Sequence, residues 1–298
     1  MADYLAISKT RIMLLLLMVA WAAMFVAAGG LPAWKPWLAV TVAGATSTAA
    51  AGAFNNVFER GRDARMQRTR SRPVASGRLT VAQAVGYALI MAVVAWGSLW
   101  FPGYRLASFA TLAAILYYAV VYTLVLKPAT PQNIVIGGLA GSFPAAIGWA
   151  AVTSSLAWPE AWPAYAIGAL VFLWTPAHFW ALALLYKEDY AAADYPMMPN
   201  VRGEGSTRRQ MLGYSILTVA ASISLVASGD AGWVYLAAAL VLGATLLARS
   251  WHLLVVHSAG KYRSFFLYTI QYLGYLLIAL MADRVLEQYV QIPAVPTL

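Results

Sequence analysis

The chain has 298 residues, of which 62% are hydrophobic and 10% charged. A soluble domain carries roughly 25% charged residues, so this composition excludes a water-facing globule, and its apolar content excludes intrinsic disorder. The net charge is +9, from 20 Lys and Arg against 11 Asp and Glu, and there is no Cys, which excludes disulfides and thiolate metal sites. In a soluble protein such a charge points to nucleic acid; here the positive-inside rule is the better explanation.

Hydrophobic residues run the length of the chain, enough for about nine spans of roughly 20 residues. Residues 1–11 lack a signal-peptide cleavage pattern, and the run from Ile12 is long enough to stay as a span. In chain order the predicted spans are 12–29, 38–58, 81–101, 105–126, 133–153, 162–185, 211–228, 232–251 and 265–284. The expected fold is therefore an all-α membrane protein of about nine transmembrane helices. It reads as one domain over 1–298, with two pseudo-equivalent halves at about 1–126 and 127–298.

Alternate loops must share a side of the membrane. One set holds 17 of the 20 cations; the other holds only Lys35, Arg105 and Arg284. That asymmetry places the N-terminus in the cytoplasm, and an odd number of spans puts the C-terminus outside. Trp34, Trp37, Trp100, Trp158, Trp162 and Trp233 lie near span ends, where indole rings anchor at the interface.

Two long polar loops, roughly 59–80 and 186–210, hold six of the 11 acidic residues. Asn55, Glu59 and Asp63 recur every four residues, which on a helix makes one stripe rising about 6 Å per step. Two carboxylates and an amide oxygen are hard ligands suited to Mg²⁺. Alone, the stripe reads equally as a solvated helix end paired with Arg60 and Arg62. The second loop, with Lys187, Glu188, Asp189 and Asp194, again sets carboxylates among cations just past a span. Carboxylates interleaved with Arg and Lys suggest a Mg²⁺–diphosphate site, the cations holding the remaining phosphate oxygens.

Three stretches carry a resemblance. The first runs from Asn55-Asn56 through Arg68-Thr69-Arg70-Ser71-Arg72-Pro73, and within it Asn55–Asp63 resembles the first aspartate-rich motif of the UbiA superfamily of intramembrane prenyltransferases, with Glu59 replacing the commoner middle Asp. Lys127-Pro128-Ala129-Thr130-Pro131-Gln132-Asn133 through Gly138, and Phe172 through Ala183 continuing to Lys187-Glu188-Asp189-Tyr190 and Pro196-Met197-Met198-Pro199, resemble the haem-farnesylating branch of that superfamily. The likeness covers about residues 5–285. The second loop lacks an Asp-x-x-x-Asp spacing and the family has a small residue near Asp194, so Glu188 and Asp189 are the second-loop candidates.

The resemblance implies a UbiA-like bundle in the bacterial inner membrane, with its polar loops cytoplasmic. It implies transfer of a farnesyl group from farnesyl diphosphate to a vinyl group of haem B, with addition of water, giving haem O. Haem B is then a substrate and Mg²⁺ the cofactor, with haem A synthase or terminal-oxidase assembly as downstream partner. On this reading Asn55, Glu59, Asp63, Glu188 and Asp189 ligate Mg²⁺, and Arg68, Arg72, Lys127 and Lys187 contact diphosphate.

His178, inside the sixth predicted span after Pro176, reads either as a haem contact or as a core histidine bonded to backbone freed by the proline. Gln132 and Asn133 either cap the fifth span or bind substrate. Two competing functions share these features: a UbiA-type enzyme acting on an aromatic quinone precursor, and a transporter lined by intramembrane charge. The concentration of acidic residues near one face, away from the midplane, speaks against the transporter.

Overall fold

A computed structural model describes residues 1–290. The end of the expected domain, 291–298, lies outside the described residues. Among these, nine helices are long and apolar enough to cross a membrane: α1 Thr10–Ala28, α2 Trp34–Phe58, α3 Val81–Trp100, α4 Arg105–Ala129, α5 Asn133–Thr153, α6 Trp162–Leu185, α7 Glu204–Ala227, α8 Trp233–Val255 and α9 Ala259–Val290. Every expected span coincides with one of them.

Several helices outrun the apolar stretch that betrayed them. The seventh begins at Glu204 and not 211, the ninth at Ala259 and not 265, and the fourth continues to Ala129. Hydropathy marks only the part immersed in hydrocarbon, whereas the helix satisfies its own backbone and continues into the polar zone. Local chemistry sets some ends. At the start of α3, the Thr80 hydroxyl accepts the Gln83 N–H at 3.2 Å and Gln83 Oε1 accepts the Thr80 N–H at 2.9 Å, a reciprocal capping box.

Sequential helices pack as neighbours, and α9 returns against α1 to close the ring; α1 also packs on α5, and α6 on α9. The α1–α5 approach is close: a Cβ on Gly148 would lie 2.1 Å from the Ala20 carbonyl oxygen, so the two backbones meet only because residue 148 is glycine. Large apolar side chains point outward, among them Leu89, Ile90 and Val93 on α3 and Val241 on α8. In water such a surface would aggregate; in a bilayer it is the solvent-facing side.

The last helix is tied at the end of the bundle opposite the long loops. Asp283 of α9, 2% exposed, accepts the N–H groups of Gly232 and Val234, the latter at 3.1 Å. This satisfies orphan donors at the start of α8 and places negative charge at its positive end. Arg284 pairs with Glu287 at 2.6 Å beside it.

Candidate active site

Glu59 follows the last residue of α2, and the i→i−4 bonds Glu59 N–H to Asn55 O and Asp63 N–H to Glu59 O carry the helical register through to Asp63. The expected stripe therefore forms, and all three side chains are buried: Asn55 2%, Glu59 3% and Asp63 0% exposed. Carboxylates at such depth need partners. Lys127, at the end of α4, donates to Glu59 Oε1; Tyr195 from the second loop donates to the same oxygen at 3.0 Å. Arg72 donates to both oxygens of Asp63 at 2.9 and 2.8 Å, with Glu59 Oε2 at 3.6 Å.

A third cation completes the cluster. Lys9 precedes α1 and donates to Asn55 Oδ1 at 2.8 Å and to the Tyr118 hydroxyl oxygen at 2.7 Å. Burial lowers Lys9 to about 7, and Arg72 adds to the effect. Burial alone would raise Glu59, but Lys127 beside it outweighs that and holds the carboxyl at about 2. Tyr195 is pushed up by burial and by the adjacent Glu59. The cluster holds three basic side chains against two carboxylates, an arrangement that favours an anion.

The second-loop residues stand apart from this cluster. Asp189 accepts the backbone N–H groups of Gln67 and Arg68, both at 3.1 Å, and so pins one loop to the other. Arg68 stacks over the rings of Tyr186 and Tyr190, 4.7 and 5.5 Å from their centres, and donates to the Tyr190 hydroxyl at 3.1 Å. Lys187 donates to Glu204 at 3.1 Å. Arg68, Tyr186, Lys187, Asp189, Glu204 and exposed Glu188 line a cavity of about 640 Å³. Asp194 is exposed and pairs with Arg65 at 2.5 Å.

The five carboxylate and amide candidates thus do not form one preformed cage, and among the described residues no three His, Asp or Glu converge as a metal site. That donor set still suits Mg²⁺, which binds through one or two carboxylates and completes its shell with water and substrate phosphate. Glu59, Asp63 and Asn55 supply hard oxygens, at present neutralised or bonded by Lys127, Arg72 and Lys9.

Of the remaining candidates, Asn133 is fully buried and donates to the Thr130 carbonyl at 2.6 Å, while its Oδ1 has no partner among the described residues. Gln132 is exposed. His178 is sandwiched between Trp174 and Phe266, ring centres 4.2 and 4.5 Å away. Its Nδ1 meets Thr269 Oγ1 of α9 at 2.7 Å, so its partner is a side chain and not backbone freed by Pro176. The Thr269 hydroxyl donates to the Phe266 carbonyl at 2.7 Å, so it accepts from His178 Nδ1–H, leaving Nε2 as an acceptor.

Sequence reasoning missed Lys9, Tyr118 and Tyr195. For Lys9, one of the 17 cations on the loop-rich face, the available signal is its position immediately before a span, at the same face as the two polar loops.

A protoheme IX farnesyltransferase of Paraburkholderia xenovorans is 41% identical over 95% of this chain and 93% of its own length. One from Chloroflexus aurantiacus is 40% identical over 96% of this chain, which spans 48% of that longer protein. Among solved structures, a digeranylgeranylglyceryl phosphate synthase superposes with TM-score 0.76 at 14% identity, covering 95% of this chain and 98% of the other. A UbiA homolog from Archaeoglobus fulgidus bound to GPP and Mg²⁺ gives 0.63 at 14% identity, covering 94% and 99%. The UbiA prenyltransferase family profile matches residues 15–274, and the chain belongs to that family.

Proposed function

We propose that this protein transfers the farnesyl group of farnesyl diphosphate to a vinyl group of haem B, with addition of water, giving haem O and diphosphate. The observation that carries the acceptor is the 41% identity over nearly the full length to a protein named for that reaction. The buried cluster supplies the chemistry. Lys127, Arg72 and Lys9 are placed to exchange their carboxylate and amide partners for phosphate oxygens, stabilising charge as the allylic C–O bond breaks.

Glu59, Asp63 and Asn55 would then hold Mg²⁺, whose charge further neutralises the leaving diphosphate. Glu188, exposed on the wall of the loop cavity, and Asp189, which also ties that loop to the other, are the second-loop candidates for Mg²⁺. Arg68 and Lys187 are assigned to the diphosphate at the rim, and Gln132 and Asn133 to substrate contact.

The vinyl terminal carbon attacks the farnesyl C1. Water adds at the neighbouring carbon and releases one proton, so the products are haem O, diphosphate and that proton. The apolar bundle excludes other water from the allylic cation, and aromatic rings, Tyr118 and Tyr122 among them, stabilise it. His178 offers Nε2 toward haem.

The 17-to-3 cation bias supports a cytoplasmic N-terminus and a cytoplasmic active-site face in the bacterial inner membrane. The product would pass to haem A synthase or terminal-oxidase assembly. The deciding experiment incubates purified protein with haem B, farnesyl diphosphate and Mg²⁺, and measures pigment mass. A farnesylated, hydrated haem supports the assignment; its absence, with prenylation of a hydroxybenzoate acceptor instead, overturns it.

A further inference from the structure

Helix α4 does not keep one pitch. Arg105–Leu116 is α-helical, Tyr117–Leu126 is a π-helix, and a last α-turn follows at Lys127–Ala129. π-helical geometry mostly occurs as a single turn, frequently at functional sites, so a ten-residue stretch running up to a site lysine asks for a reason.

The reason lies in the angular register. Nine residues separate Tyr118 from Lys127. At 100° per residue an α-helix would set them about 180° apart, on opposite faces. An i→i+5 ladder turns about 82° per residue, and nine residues then return to within roughly 20° of the start. Both side chains do face the buried cluster: Tyr118 meets Lys9 beside Asn55, and Lys127 meets Glu59, one turn further on and just past the end of α2. Tyr122 lies between them, its ring centre 5.4 Å from that of Tyr118. A Cβ on residue 137 would fall 2.3 Å from the Tyr122 ring, so Gly137 of α5 leaves the room this register requires.

One side chain links the register to the site. Thr123, 3% exposed, donates from Oγ1 to the Tyr118 carbonyl five residues back at 2.8 Å. The same oxygen accepts from Asn55 Nδ2 at 3.4 Å. We propose that Thr123 is a positioning residue: it holds the π-register of α4 and the Asn55 amide together, and thereby delivers Lys127 to the diphosphate end of the site. This rests on the diphosphate reading above.

The test measures binding of inorganic diphosphate, with Mg²⁺, to detergent-purified wild-type protein and to Thr123→Val, Thr123→Ala and Thr123→Ser. Removal of the hydroxyl in Val or Ala weakens diphosphate binding by about tenfold, while Ser, which retains it, stays within about twofold of wild type. The KM for farnesyl diphosphate follows the same order and that for haem does not. Thr123→Ala serves where Thr123→Val fails to fold. Wild-type affinity in the folded Val or Ala variant, or equal loss in Ser and Ala, overturns the positioning role alone. Failure of the wild type to bind diphosphate overturns both this role and the function on which it rests.

Discussion

Lys127 of α4 donates to Glu59 at the end of α2, and both side chains are almost fully removed from solvent. Two charges at this depth repay their desolvation only while both are present. Glu59→Gln should therefore destabilise the protein by roughly 3 kcal/mol, by leaving Lys127 uncompensated, and lower farnesyl transfer by about 100-fold or more. The double variant Glu59→Gln/Lys127→Met should recover much of the thermal stability and none of the activity. Thermal unfolding in detergent beside a farnesyl-transfer assay checks both.

The depressed Glu59 carboxyl sets an acid limit. Its folded value of about 2 lies below its ordinary 4.5, so the unfolded chain binds the extra proton between those values. The stability it contributes is fully present above about pH 4.5 and is lost as pH falls toward 2. In metal-free detergent solution the wild-type unfolding temperature should drop across that window, and Glu59→Gln should show a flatter profile. Lys9 acts at the other end. Its folded value of about 7 lies below 10.5, so stability rises as pH increases between the two, and Lys9→Met should remove that rise.

His178 is held by Thr269 through Nδ1 and packed on both ring faces, with Nε2 as the acceptor. His178→Ala should change the Soret absorption of bound haem and weaken haem binding while leaving diphosphate affinity near wild type. Thr269→Val should produce a smaller change of the same kind, because the tautomer is no longer fixed. An unaltered spectrum in His178→Ala would exclude iron contact.

Two aspartates in one loop should behave differently. Asp189 accepts two backbone N–H groups from the opposite loop, whereas Asp194 makes an exposed pair with Arg65. Asp189→Ala should loosen residues 59–80, read as faster limited proteolysis there, and reduce activity. Asp194→Ala should change stability by under about 1 kcal/mol.

Asp283 offers a control remote from the chemistry. Its carboxylate satisfies two backbone donors at the start of α8, so Asp283→Ala should cost about 2–3 kcal/mol of stability with KM unchanged.

The bundle was legible in the sequence because lipid imposes a single strong requirement, and nine long apolar runs meet it. The Asn55–Glu59–Asp63 stripe was legible because four-residue spacing survives the break after Phe58. Lys9, Tyr118 and Tyr195 were not, since their approach to Glu59 and Asn55 depends on how distant helices and a loop converge. Periodicity could not reveal the π-register of Tyr117–Leu126 either. That segment is apolar on nearly every side, so its pattern carries no phase. The separation of Asp189 from Glu59 follows a loop path set by backbone hydrogen bonds, which residue types do not encode.

The return of α9 against α1 has a consequence for biogenesis. Lys9, Asn55, Glu59 and Lys127 all precede α9 in the chain, so they emerge from the ribosome before the helix that closes the ring. Gln288 fastens that helix to the Leu31 N–H at 3.1 Å, at the rim opposite the charged loops. Until α9 packs against α1, the ring is open on that side. Premature termination within α9 would therefore yield a protein with a complete set of diphosphate-binding residues and a breach through which lipid enters.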